Sequence, residues 1–239
     1  MGASSKSFLC LMAVAALGHG GPAVTSIAPL RKKLWPQLCG VGNTHSIGLT
    51  FDDGPDPAST PLFLAALSEM GVKATFFVLG EMLDKAPELG RQIAAEGHEM
   101  GIHGWTHRNH LLLSYPQIRD EIRRTKARIQ DIAGVTPRFY RPPYGVVTGG
   151  DLLAVRTQDV ELVLWTSWGK DWQARATGES VIEELKKGGV VGGATLLLHD
   201  SDCTSAPGSW RSSLSALSEL ATYCMEQGLD LVPLSQHME

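Results

Sequence analysis

Cysteine is scarce in this chain, four in 239 residues, too few to staple a disulfide scaffold. If Cys10 leaves with an amino-terminal leader, Cys39, Cys203 and Cys224 remain, an odd number that cannot all pair internally. A bridge between Cys203 and Cys224 is open in an oxidising compartment, and reduced thiols are the favoured expectation. Long apolar runs are missing too: none approaches the about 20 residues that a membrane-spanning helix needs, which argues against an integral helical membrane protein. Nor is there a basic excess. With 21 Lys and Arg against 25 Asp and Glu, the net charge is -4, so the field that holds phosphate backbones is lacking and nucleic acid is not an expected partner. Internal repeats and low-complexity tracts are absent, which excludes solenoid arrays, and nothing in the sequence implies a protein partner.

What is there is an ordinary globular composition, 43% hydrophobic and 19% charged, enough for one sizeable core. The first residues differ from the rest. Lys6 precedes an apolar stretch from Phe8 to Gly18, and Ala16-Leu17-Gly18 offers a small-residue cleavage site, as in a secretory leader. A short packed amino-terminal helix is the alternative. Residues 26–43, with Arg31, Lys32 and Lys33 ahead of Leu34-Trp35-Pro36, read as a linker or lead-in helix. Residues 1–43 are therefore set apart as leader and linker, and residues 44–239 as the working domain. A functional leader makes the protein secreted or associated with the cell envelope; without one it is cytoplasmic.

Past residue 45, apolar segments of strand length (46–51, 73–79, 99–103, 138–141, 160–167, 195–199 and 229–234) alternate with segments of helix length (60–70, 87–96, 115–133, 149–157, 179–187 and 209–227). This alternation predicts an α/β fold with parallel strands and crossover helices, open or closed into a barrel. With about seven strands, a closed form is smaller than the usual eightfold barrel. The clearest helix, 115–133, sets Ile118, Ile122, Ile129 and Ile132 against Arg119, Arg123, Arg124 and Lys126, a core stripe against a solvated face. Gly188, Gly189, Gly192 and Gly193 lack a phosphate-loop pattern and read as a helix stop and turn.

Five segments carry chemistry. Phe51-Asp52-Asp53-Gly54-Pro55 ends a buried strand in two adjacent carboxylates, an arrangement that needs a cation or a raised proton affinity to offset the repulsion. In Gly101-Ile102-His103-Gly104-Trp105-Thr106-His107, two imidazoles four residues apart can face one metal. Asp52 or Asp53 would complete a His-His-Asp set with positions left open for water and substrate. The second acid is then free to take a proton from water. In Arg138-Phe139-Tyr140-Arg141-Pro142-Pro143-Tyr144-Gly145, a strand end stopped by two prolines holds an arginine that can orient a carboxylate. Trp165-Thr166-Ser167-Trp168-Gly169-Lys170-Asp171-Trp172 brings indoles that are either core or the wall of a sugar cleft. Leu196-Leu197-Leu198-His199-Asp200 ends an apolar strand in a histidine, either a capped core residue or a general acid.

The order and residues of these five segments, spanning Ser46 to Leu234, resemble the polysaccharide deacetylase family, the NodB-homology carbohydrate esterases. The resemblance implies a distorted (β/α) barrel, a divalent metal (zinc first, with cobalt, nickel or manganese as alternatives) and hydrolysis of acetyl groups on a carbohydrate. Matched position by position, it implies Asp52 as base, Asp53, His103 and His107 as metal ligands, and Arg141 as the tether of the base. It further implies the Tyr144 backbone N–H at the oxyanion, His199 as acid tuned by Asp171, and Trp172 with Leu197 around the acetyl methyl. Two positions depart from the family: Gly104 stands where a hydroxyl residue usually braces the loop, and Trp168 where a further Asp is usual. The expected substrate is an acetylated sugar such as chitin oligomers or peptidoglycan N-acetylglucosamine, N-acetyl before O-acetyl. The alternatives are a small N-acylated metabolite or cyclic imide, and a non-catalytic sugar-binding pseudoenzyme.

Overall fold

The structure, a computed structural model, describes residues 17–239; the expected leader falls largely outside the described part. Eight strands form one sheet in which every pairing is parallel. They are β1 (Ser46–Asp52), β2 (Thr75–Val78), β3 (Glu99–Ile102), β4 (Phe139–Tyr140), β5 (Glu161–Leu162), β6 (Ser167–Trp168), β7 (Thr195–His199) and β8 (Asp230–Val232). Their order is β5-β4-β3-β2-β1-β7-β6, with β8 joined to the first half of β1. All seven residues of β1 and all four of β2 are buried, as expected of strands covered on both faces by crossover helices.

From residue 28 onward the α-helices are α1 (Ala28–Leu34), α2 (Thr60–Glu69), α3 (Gly80–Lys85), α4 (Pro87–Ala95), α5 (Tyr115–Ala133), α6 (Gly149–Gln158), α7 (Gly178–Gly188), α8 (Trp210–Glu226) and α9 (Leu234–His237). Helix α5 starts with a Ser114/Gln117 capping box and stops at Gly134, whose φ of 69° is easy only for glycine. Its four isoleucines are buried in the main core, as their spacing predicts. The α7 end and its Gly189 cap bear out the stop expected of the glycine cluster. Short α3 and α9 carry too few apolar repeats to be read from sequence.

One expected strand divides. Residues 160–167 become β5, paired with β4, and β6, paired with β7, so the same chain segment closes the curled sheet into a distorted barrel. The backbone between them leaves the ladder because other groups take its hydrogen bonds, and buried peptide groups must find partners somewhere. Arg141 donates to the carbonyls of Val163 and Leu164, and Arg31 to that of Trp165, while the Leu164 N–H donates to the Leu38 carbonyl at 2.7 Å. The segment set apart in the sequence as linker thus holds a helix, α1, and delivers a buried arginine to the barrel seam. Cys39, Cys203 and Cys224 are all free thiols, in line with the reduced expectation.

Candidate active site

The carboxyl ends of the strands carry the predicted residues. Asp52 ends β1 and His199 ends β7, and the two are register partners on adjacent strands. His103 follows β3, Arg141 follows β4 and Asp171 lies just past β6. Strand register therefore gathers, around one mouth, residues up to 147 positions apart. The end of a parallel sheet is where such convergence is general.

Asp53, His103 and His107 present one ligand atom each, all within 4.8 Å of one another. Asp53 Oδ1 lies 3.3 Å from His103 Nε2 and 3.4 Å from His107 Nε2, and it is buried without a hydrogen-bond partner. A buried carboxylate oxygen left bare between two imidazole nitrogens fits a cation better than any protein donor, because an unpaired buried charge is costly. His103 Nδ1 donates to the Arg141 carbonyl at 2.9 Å, which selects the tautomer with a bare Nε2, as a ligand requires. Burial pushes His107 down to about 4, the Asp53 charge offsetting only part of that, so this imidazole is neutral at pH 7. Burial opposes ionisation of Asp53, but His103, His199 and His107 outweigh it and hold the carboxyl well below the usual range. The donor set is thus one carboxylate and two imidazole nitrogens, suited to a divalent metal.

Asp52 is held apart. Its Oδ1 accepts from Arg141 Nη1 at 2.7 Å, and Thr50 Oγ1 takes a second bond from the same nitrogen at 2.8 Å. The guanidinium is fully buried, 4.0 Å over the Phe77 ring, and its remaining donors go to the two seam carbonyls. Asp52 Oδ2 is left 3.8 Å from His103 Nε2, at the edge of the Asp53-His103-His107 cluster. The two acids are separated by backbone shape as well: Asp53 has φ +80°, a left-handed conformation that costs a non-glycine residue about 1–2 kcal/mol. Among the described residues four non-glycines have such a φ, and three of them, Asp53, Tyr144 and Lys170, belong to this mouth or adjoin it. Strain of this kind collects at functional sites. Gly54 follows because any Cβ there would meet Asp200 Oδ2 at 2.3 Å.

His199 Nδ1 faces Asp171 Oδ1 at 2.9 Å, and the other Asp171 oxygen accepts from the His199 N–H and from Ser213 Oγ. Burial works against charge on His199, yet Asp171, helped by Asp53 and Asp52, raises it to about 10, so the ring is cationic at pH 7. A cavity of about 300 Å³ adjoins these groups, lined by Asp52, His103, His107 and His199 together with Tyr144, Trp165, Trp168, Trp172 and Leu197. Trp168, where an acid was expected, joins the indoles of Trp165 and Trp172 at ring distances of 5.8 and 6.2 Å. The Tyr144 ring packs edge-on against His107 at 4.3 Å.

Three contributors escaped sequence reasoning. Glu121 on α5 accepts from the N–H groups of Trp105 and Thr106 at 2.7 and 2.8 Å and pairs with Arg108, so it braces the loop between the two histidines. The same loop includes Gly104, where φ is +105° and a side chain would be strained. Thr50 could have been suspected as the polar residue of a buried strand. Thr204, which donates to Asp53 Oδ2 at 2.9 Å, sits in a loop with no motif to flag it.

The polysaccharide deacetylase family model matches residues 40–162. The chain is 34% identical to a peptidoglycan-N-acetylglucosamine deacetylase of Bacillus cereus, the match covering 80% of this chain and 68% of that protein. It is also 34% identical to the peptidoglycan-N-acetylmuramic acid deacetylase PdaC of Bacillus subtilis over 81% of this chain, spanning only 39% of that longer protein. Among solved structures it is similar to the Bc1960 peptidoglycan N-acetylglucosamine deacetylase, with a TM-score of 0.77 at 29% identity, covering 85% of this chain and 95% of the other.

Proposed function

Because the chain belongs to the polysaccharide deacetylase family, we propose that it is a metal-dependent hydrolase that removes N-acetyl groups from a carbohydrate, with N-acetylglucosamine in peptidoglycan or chitin oligomers as the leading substrate class. The observation that carries this reading is the bare Asp53 Oδ1 between two imidazoles, beside a second acid that Arg141 keeps off them. Asp53, His103 and His107 hold the metal, zinc in this reading. When bound, it polarises the acetyl carbonyl and acidifies a water molecule.

The remaining steps belong to side chains of this chain. Asp52, anchored through Oδ1, uses Oδ2 to take a proton as water attacks the acetyl carbon. Charge develops on the carbonyl oxygen, where the Tyr144 backbone N–H helps stabilise it. His199, cationic through its bond to Asp171, gives a proton to the amine nitrogen as the C–N bond breaks and acetate leaves. Acid and base are kept to separate tasks, since Asp171 holds His199 in its protonated form while Arg141 anchors Asp52. Leu197 and Trp172 shape an apolar wall for the methyl group, and the further indoles Trp165 and Trp168 offer flat faces to a sugar ring. The catalytic unit is residues 44–239, its seam completed by the arginine of α1.

Acetate release from chito-oligosaccharides and from N-acetylated peptidoglycan fragments is expected, lost on chelation and restored by added zinc. Release that survives a strong chelator, or that occurs only from acetylated xylan or from small N-acyl compounds, would overturn the assignment. A sugar polymer of the envelope lies outside the cytoplasm, so export goes with this reading. Lys6 and the apolar stretch behind it support that, and an intact Met1 on protein recovered outside its cell of origin or from its envelope would refute a cleaved leader.

A further inference from the structure

We infer that Thr204 is a positioning residue for the metal centre, selecting which oxygen of Asp53 faces the ion. The inference rests on Asp53 serving as ligand. Three observations converge on it. Thr204 Oγ1 donates to Asp53 Oδ2 at 2.9 Å. The other oxygen, Oδ1, is the one that lies 3.3 and 3.4 Å from the two histidines and has no hydrogen-bond partner. Asp53 is also held at φ +80°, a backbone shape that does not by itself fix the carboxylate rotation.

A carboxylate on a short side chain turns about its last bond with little resistance. One hydroxyl on one oxygen removes that freedom and leaves the second oxygen for the cation. The threonine is well supported for the task. Its loop is tied back by the Cys203 N–H to Ser201 Oγ at 3.2 Å, by the Ser205 N–H to the Asp202 carbonyl at 3.0 Å, and by the Ala206 N–H to the Trp172 carbonyl at 3.1 Å. The neighbouring Cys203 thiol donates to the Asp53 carbonyl at 3.7 Å, so the loop holds this aspartate at backbone and side chain together. Because the loop directly follows His199, the proton donor and the metal ligand share one support. Residues that bond to a metal ligand from outside typically contribute 10–100-fold to metal affinity.

The test is zinc affinity, measured by calorimetry on the full chain stripped of metal, with no substrate present. Thr204→Val, which keeps shape and loses the donor, is expected to weaken zinc about 10–100-fold. Thr204→Ser should stay within twofold of the unaltered chain. So should Ser205→Ala, since Ser205 lines the same cavity without a bond to Asp53. Thermal unfolding of the metal-free variants checks that the fold survives, and Thr204→Ala serves in place of a valine variant that does not fold. Zinc binding by Thr204→Val within twofold of the unaltered chain overturns the role of Thr204 alone. Failure of the unaltered chain to bind any divalent metal overturns the metal centre, and this inference with it.

Discussion

Asp52→Asn lowers kcat for acetate release by about 10²–10⁴-fold, the usual contribution of a positioned general base, and leaves one metal per chain. Asparagine keeps an oxygen where Arg141 Nη1 now bonds at 2.7 Å, so the geometry is retained while the proton acceptor is lost. The loss should fall on kcat and kcat/KM alike, since the interaction belongs to the transition state. The same change leaves the fully buried Arg141 without its counter-charge, and breaking a buried pair by removing one partner costs about 3–5 kcal/mol, the amide oxygen recovering part. The melting temperature therefore falls as well, and rates are to be compared where both proteins are folded. His103→Ala should do the opposite: metal content is lost, and activity is lost as its consequence. Full activity in Asp52→Asn, or loss of metal from it, would refute the division between the two adjacent acids.

Asp171→Asn moves the alkaline limb of the pH–rate profile toward acid and removes most activity at pH 7 to 8. The sign follows from the pair. His199 must be protonated to serve the leaving amine, so activity falls as pH rises through its pKa. Burial alone would lower that pKa below the ordinary 6.5, and it is Asp171 first, then Asp53 and Asp52, that lift it to about 10. Without Asp171 the largest lifting charge and its hydrogen bond go, and the ring loses its proton near or below neutrality. A kcat loss of about tenfold or more at pH 8, about tenfold for each pH unit above the lowered pKa and shrinking as the pH is lowered, is the expected result. The pH dependence separates this from a structural lesion: a uniform loss at every pH would mean that Asp171 only supports the fold through Ser213 and the His199 N–H. Bound metal adds positive charge near His199 and lowers its pKa in both proteins, so the comparison is made at equal metal content.

The sequence by itself determined the alternation of strands and helices, the parallel sheet, and nearly every group that gathers at its mouth. Those features depend on local chemistry: apolar periodicity, a charge pair that cannot stand alone, histidines four apart, prolines that end a strand. It also singled out the Asp-Asp pair, though without its family resemblance it left open which acid meets the metal. Tertiary structure separated them, because only contacts remote in sequence distinguish two adjacent aspartates. Arg141 and Thr50 hold one carboxylate, and Thr204 holds the other by an oxygen that leaves its mate bare. The split of the 160–167 strand was hidden for the same reason. Its apolar pattern is that of a buried strand throughout, and what draws its middle out of the ladder is hydrogen bonding to Arg141, Arg31 and Leu38, from 22 to 134 residues away. The brace at Glu121 was missed too: three residues past Ile118 it falls beside the apolar stripe of α5, and its partners, the N–H groups of the histidine loop, meet it only once that loop is folded over the helix.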